Sequence, residues 1–294
     1  MERGIILKRF GGFFYVYSNG KVYECVCRGK NRLLYDDIYP GDLVEFIPGE
    51  EKSIDKGVIE KLLPRSNLLI RPAVANVSQV ICVVALKYPN PNLFLLDRLL
   101  VNAEYYSLKA VISLNKKDLA SEEMINEIIN IYQNLGYKVL ITSAKTGEGI
   151  DELKNELKDN LTVFAGQSGV GKSSLLNAIV PGLKSKVGEV SKKLKTGRHT
   201  TKHVEIIKLP QGGFVADTPG FSRLDLPEMY PEELGDCFPE IRKFKADCKF
   251  TSCLHNNEPE CSVKAALEQG LINEHRYDNY LKLLEEVMER ERCR

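Results

Sequence analysis

Nothing in this sequence of 294 residues is long enough or lopsided enough to fix its class by bulk properties. No apolar stretch approaches the roughly 18 residues that a membrane-spanning helix needs. No secretory signal is visible at the first residues, so a cytoplasmic protein without a membrane partner is expected. The 41 basic and 40 acidic residues nearly cancel, and net charge therefore points to no partner. Internal repeats and low-complexity tracts are absent. No heptad is sustained that would announce a coiled coil, and a monomer is expected. What remains is ordinary globular composition, 43% hydrophobic and 28% charged, in a chain long enough for two or three domains.

Three regions differ in pattern. Residues 1–68 hold short β-rich runs such as 12–17, 21–27 and 42–47, with the turn signal Ser18-Asn19-Gly20 between the first two. About five strands in so short a span predict a small barrel, either OB-fold-like or SH3-like. Residues 69–225 alternate strand and helix. Apolar runs at 80–85, 110–114, 138–141 and 161–165 are separated by helical patterns at 94–106, 122–135 and 151–159, which predicts a doubly wound α/β domain. Residues 226–294 read as a helical module. Tyr277, Tyr280, Leu281, Leu284 and Met288 share one face of its last helix, either for packing or for a partner.

The α/β region carries the chemistry. Gly166-Gln167-Ser168-Gly169-Val170-Gly171-Lys172-Ser173, followed by Ser174, is a phosphate-binding loop between an apolar strand and the helical segment 174–180. Its glycines let successive N–H groups face phosphate oxygens at a helix N-terminus. Lys172 is expected at the β- and γ-phosphates and Ser173 on Mg²⁺. About fifty residues earlier stands Asn115-Lys116-Lys117-Asp118. A carboxylate there accepts from guanine N1–H and its exocyclic amine, whereas adenine offers the wrong pattern, which disfavours an ATPase. Lys116 is expected along the base plane, and Ser143-Ala144-Lys145 at the guanine oxygen. Asp217-Thr218-Pro219-Gly220 follows an apolar segment, with Asp217 expected to hold Mg²⁺ through water and Gly220 to sense the γ-phosphate. In Gly197-Arg198-His199-Thr200-Thr201 either Thr200 or Thr201 is the Mg²⁺ ligand. Many GTPases place a water-orienting glutamine after the last glycine. Here Phe221 stands there, so intrinsic hydrolysis is expected to be slow, with His199 the candidate to orient water.

A GTPase whose base-reading motif precedes its phosphate loop has been cut and rejoined within its sheet. The order NKKD, SAK, GQSGVGKSS, GRHTT, DTPG resembles the circularly permuted GTPases of the RsgA/YjeQ family, the small-subunit-dependent GTPases, over the whole chain. The resemblance implies an oligonucleotide-binding barrel, binding to the 30S ribosomal subunit and its 16S rRNA, subunit-stimulated GTP hydrolysis and a part in late subunit maturation. Lys202 departs from the family's frequent third threonine, which leaves Thr200 and Thr201 as the candidates. An RNA-binding assembly protein that keeps GTP as a structural ligand is the alternative.

Disulfides are not expected beside such a cytosolic motif, and the eight cysteines read instead as metal ligands or buried thiols. Cys248, Cys253, His255 and Cys261 offer three thiolates and one imidazole within 14 residues. That set suits one structural, tetrahedral Zn²⁺, and the family carries the same spacing. Cys25, Cys27, Cys82, Cys237 and Cys293 lack such company. Lys184, Lys186, Lys192, Lys193, Lys195, Arg198 and Lys202 face one acid, Glu189, so the switch segment is either a solvated loop or a contact to rRNA phosphates. After Gly220 the chain runs directly into the C-terminal module, which places a switch element at that module's hinge.

Overall fold

The computed structural model describes residues 1–27, 37–49, 55–70, 73–182, 204–217 and 225–292. Two compact units divide the chain. Met1–Val80, Ile150–Phe164 and Ser173–Phe221 make one; Ile81–Gly149, Ala165–Lys172 and Ser222–Arg294 make the other.

In the first unit β1 (Glu2–Phe10), β2 (Phe13–Ser18), β3 (Lys21–Cys27), β4 (Leu43–Pro48) and β5 (Lys56–Leu62) close a barrel in the order β1-β2-β3-β5-β4. Neighbours run antiparallel except β3 and β5, which are parallel. Alternate side chains point inward, as the two-residue period of a strand requires, and Ile6, Phe14, Val16, Cys25, Val44 and Phe46 fill the interior. Asn19 and Gly20 both take positive φ (48° and 84°), the two-residue turn that joins Ser18 to Lys21. The Greek-key strand order is OB-fold-like, and the SH3-like alternative is set aside.

β6 (Leu68–Ile70) and β7 (Ala73–Ala75) form a small hairpin. β8 (Gln79–Ala85), β9 (Lys109–Asn115), β10 (Lys138–Thr142), β11 (Leu161–Ala165), β12 (Glu205–Lys208) and β13 (Phe214–Asp217) form a sheet in the order β10-β9-β8-β11-β13-β12. All of β8 is buried, as its unbroken apolar run predicts. Helices α1 (Leu93–Tyr105), α2 (Glu122–Gln133), α3 (Ile150–Leu157) and α4 (Lys172–Ile179) fall within two residues of the sequence reading. The sheet is not wholly parallel, because β12 pairs antiparallel with β13. The short link between them, closed by Leu209 N–H on the Gly213 carbonyl at 3.1 Å, is too brief for a parallel crossover. In this unit the barrel is fastened to that edge. Lys8 pairs with Glu205 at 2.7 Å, Tyr17 meets Phe214 edge-on at 5.6 Å, and Lys208 Nζ lies 4.7 Å from the Phe214 ring centre.

The second unit carries α5 (Pro231–Leu234), α6 (Pro239–Lys245), α7 (Ser262–Glu268) and α8 (Glu274–Arg292) around Leu234, Phe238, Ile241, Val263 and Leu283. On α8, Tyr277, Tyr280 and Leu284 are buried in this cluster, and Leu281 and Met288 pack against it. The apolar face of the last helix is therefore a packing face. Cys25, Cys82 and Cys237 are buried unpaired thiols, each pushed up to about 12 by burial, while Cys27 is half-buried. Cys293 lies outside the described residues. Among those residues no helix is long and apolar enough to cross a membrane.

Candidate nucleotide site and metal centre

The phosphate loop leaves β11 at Ala165 and enters α4 at Lys172. Two of its glycines are needed sterically. Gly166 has φ +142°, and a Cβ there would strike the Val83 carbonyl; Gly171 has φ +104°, and a Cβ there would strike the Asn115 amide. Lys172 Nζ donates to the carbonyls of Gly166 at 2.6 Å and Gln167 at 3.0 Å, folded back over its own loop. Burial lowers its pKa, so an anion at this place would favour the charged amine. Ser173 and Ser174 stand exposed on the first turn of α4.

Asn115 closes β9 and is buried at 1% exposure. Its Nδ2 donates to the Val170 carbonyl at 2.8 Å, and its Oδ1 accepts from Ala144 N–H at 3.2 Å and Thr142 Oγ1 at 3.4 Å. One side chain thus ties the Asn115–Asp118 turn to the phosphate loop and to the Ser143-Ala144-Lys145 loop. Lys116, at φ +66°, donates from Nζ to the Gly169 carbonyl at 2.8 Å and to the Tyr88 carbonyl. Asp118 Oδ1 accepts from Ser143 Oγ at 2.7 Å, with the exposed Lys145 ammonium 3.7 Å from Oδ2. Lys117 turns away from these groups to Glu148 at 2.5 Å and Glu122 at 3.8 Å.

Asp217 ends β13 opposite Glu205. Its side chain lies outside the described residues, as do Thr218, Pro219, Gly220 and Phe221. The same holds for His199, Thr200, Thr201 and the basic segment with Lys184, Lys186, Lys192, Lys193, Lys195, Arg198 and Lys202.

In the C-terminal module the ligating atoms of Cys248, Cys253, His255 and Cys261 all lie within 4.8 Å of one another. His255 Nδ1 is 3.5 Å from both Cys248 Sγ and Cys261 Sγ, and the two sulfurs are 3.9 Å apart. A tetrahedron with bonds of about 2.3 Å to sulfur and about 2.0 Å to nitrogen requires separations of about 3.8 and 3.5 Å. Cys248, His255 and Cys261 match those separations, and Cys253 Sγ completes a set of four within 4.8 Å, the complement a tetrahedral metal ion takes. Burial pushes the Cys253 thiol up to about 12, so a thiolate at that position needs a cation beside it. The loop is held around them: Tyr277 Oη donates to the His255 carbonyl at 2.6 Å, and Tyr280 Oη to the Leu254 carbonyl at 2.8 Å. The Glu258 carboxylate accepts from the N–H groups of Leu254 at 2.7 Å and Asn256 at 2.9 Å.

A phosphate loop that follows its base-reading turn in sequence, yet is bonded to it in space, matches what comparison with known proteins returns. The family model described as RsgA GTPase matches residues 62–227, and that of the RsgA N-terminal domain matches residues 3–59. The chain belongs to the RsgA GTPase family. It is 54% identical over 98% of both chains to the small ribosomal subunit biogenesis GTPase RsgA of Moorella thermoacetica. With the protein of that name from Caldanaerobacter subterraneus it shares 47% identity, over 100% of this chain and 99% of the other. The crystal structure of YjeQ from Thermotoga maritima superposes with a TM-score of 0.85 at 43% identity, covering 98% of each chain. As an RsgA-family GTPase the protein has the circularly permuted P-loop fold, an OB-fold-like barrel before it and a helical metal-binding module after it. That module lies beyond both family models, and its kinship rests on the full-length relatives.

Sequence reasoning missed how this module is held on α1. Asp97 and Arg276 are both buried, their Oδ1 and Nη1 atoms 2.6 Å apart. Glu240 takes two further donors of Arg276 at 2.7 and 3.1 Å, and Tyr132 Oη and Asn279 Nδ2 complete Asp97 at 2.8 and 2.7 Å. Arg98 adds a forked pair to Glu286, and Arg242 donates a single bond to Glu104 at 3.1 Å. The signal in the sequence is Asp97 at a core position of an apolar helix, which demands a buried cation somewhere in the chain.

Proposed function

We propose that this protein is a GTP-hydrolysing switch in biogenesis of the small ribosomal subunit. In this reading it binds the 30S particle and its 16S rRNA in the cytoplasm in the GTP state and leaves after hydrolysis. The observation that supports the nucleotide half is the Asn115 amide on the Val170 carbonyl at 2.8 Å, which joins the turn carrying Asp118 to the 166–171 loop. The ribosomal half rests on the full-length relatives of that name.

Within this reading Asp118 accepts from guanine, Lys116 lies along the base, and the Ser143-Ala144-Lys145 loop meets the guanine oxygen. The N–H groups of 166–171 hold the phosphates, and Lys172 swings from its carbonyls to the β- and γ-phosphates. Ser173 and either Thr200 or Thr201 would hold Mg²⁺, with Asp217 joined through water. That ion would neutralise charge developing on the phosphates. Zn²⁺ suits the Cys248, Cys253, His255 and Cys261 set, as a fastener with no open position. Phe221 cannot orient water, and His199 takes that role in subunit-stimulated turnover.

The test is GTP turnover and co-sedimentation with purified 30S subunits, with GDP or a non-hydrolysable GTP analogue. Turnover raised by subunits, with binding stronger in the analogue, is the expected result. Equal turnover with and without subunits would instead make GTP a structural ligand of an assembly protein. His199→Ala should bind GTP normally and lose the stimulation; stimulated turnover equal to wild type would remove His199 from the mechanism.

A further inference from the structure

Between β8 and α1 the chain makes an elbow, Leu86-Lys87-Tyr88-Pro89-Asn90-Pro91-Asn92, without an acidic residue. Leu86 is buried, and α1 begins with the Asn92 side chain accepting from Leu95 N–H at 2.9 Å. Between these fixed ends Tyr88 is 70% exposed and has φ +49°. A bulky side chain seldom takes a left-handed backbone, and such strain persists where the surroundings impose it. Here they do. The Tyr88 carbonyl accepts from Lys116 Nζ, the same ammonium that reaches the Gly169 carbonyl at 2.8 Å. The Pro89 ring edge comes within 3.7 Å of where a Cβ on Gly169 would stand. The elbow therefore lies beside Gly169, tied to the phosphate loop through Lys116, with the Tyr88 ring exposed. Lys87 Nζ lies over one face of this ring, 5.4 Å from its centre.

We infer that Lys87 and Tyr88 form a stacking platform for one unpaired base of the RNA partner, with Lys87 meeting the adjoining phosphate. This rests on the ribosomal reading above and assigns it a contact at the rim of the phosphate loop. A flat exposed ring with a cation over it, on an elbow whose own residues include no acid, is the chemistry that single-stranded RNA engages by stacking and charge. Because the Tyr88 carbonyl and the Gly169 carbonyl share Lys116, a base seated on the ring stiffens the same anchor that steadies the phosphate loop.

The experiment compares the full-length wild type with Tyr88→Ala, Tyr88→Phe and Lys87→Ala, with GTP analogue present, for binding to purified 30S subunits and to protein-free 16S rRNA. Stacking of one base is worth about 1–3 kcal/mol, so Tyr88→Ala should weaken binding by about 5- to 150-fold on both probes. Tyr88→Phe should bind like wild type, and Lys87→Ala should flatten the salt dependence. Subunit binding by Tyr88→Ala within about twofold of wild type overturns the platform. So does a loss confined to intact subunits, which would mean a protein contact, or an equal loss in Tyr88→Phe, which would mean a hydroxyl contact. A fall in free-protein GTP affinity with subunit binding intact would make the ring a wall for the nucleotide and likewise overturn it. Wild type that binds neither probe defeats the ribosomal reading itself, and the platform with it; wild type that binds while Tyr88→Ala binds equally defeats the platform alone.

Discussion

Asp97 on α1 and Arg276 on α8, 179 residues apart in sequence, meet at 2.6 Å with both side chains buried. The guanidinium lies 4.6 Å from the Phe238 ring centre and is forked by Glu240, so its donors are taken up inside the core. Removing one partner of such a pair leaves an uncompensated buried charge, which costs about 3–5 kcal/mol. Arg276→Ala should lower the stability of this unit by that amount in urea denaturation, whereas the exposed pair of Lys154 and Asp151 should cost under about 1 kcal/mol. Equal small effects in the two variants would show that the buried cluster contributes no net stability.

Asn115 serves three loops with one amide. Asn115→Ala leaves the Val170 carbonyl and Ala144 N–H without that partner. A lost bond to a buried group costs about 1–3 kcal/mol, so GTP and GDP affinities should both fall by about 5- to 150-fold. Isothermal titration with each nucleotide checks this; a loss for GTP alone would mean that Asn115 acts on the γ-phosphate and not on loop geometry.

Asp118 accepts from Ser143 Oγ at 2.7 Å, which aims its carboxylate. Asp118→Asn should exchange acceptor for donor and shift preference from guanine toward xanthine nucleotides. Competition between GTP and XTP measures the shift. Unaltered preference would remove Asp118 from base recognition.

Cys248, Cys253, His255 and Cys261 gather in the knuckle between α6 and α7. A metal ion held there would couple its binding to the folding of this module. Chelation, or Cys261→Ser, should release about one equivalent of zinc and lower the melting temperature. Full stability after the metal is removed would show that the tyrosine bonds to the His255 and Leu254 carbonyls suffice.

Glu286 has its pKa lowered by the hydrogen bonds from Arg98, against the opposing effect of burial. A carboxylate with a lower pKa folded than unfolded contributes stability above its unfolded value, near 4.5, and loses it as pH falls through the folded value. Glu286→Gln should therefore unfold more readily than wild type at neutral pH, and the difference should shrink below about pH 4.5. A difference independent of pH would assign the loss to packing.

The nucleotide motifs were legible in the sequence because each is local. A phosphate loop needs its glycines and its lysine in one short run, and a base-reading turn needs its carboxylate three residues after its asparagine. The inverted order was visible too, since order is what a sequence records directly, and so was the Cys248 to Cys261 set, whose ligands fall within one loop. The hairpin at Asn19-Gly20 and the buried run of β8 followed from turn chemistry and apolar continuity. What the tertiary structure decided depends on atoms far apart in the chain or on backbone carbonyls that every residue carries alike. The sequence does not announce that Asn115 bonds to the Val170 carbonyl, that Lys116 and not Lys117 reaches the phosphate loop, or that Arg276 is the cation Asp97 requires. The antiparallel edge strand and the choice of an OB-like barrel belong to the same class, because pairing partners are set by three-dimensional closure. Sequence alone determined which chemistry the chain carries; the fold decided which residues hold that chemistry in place.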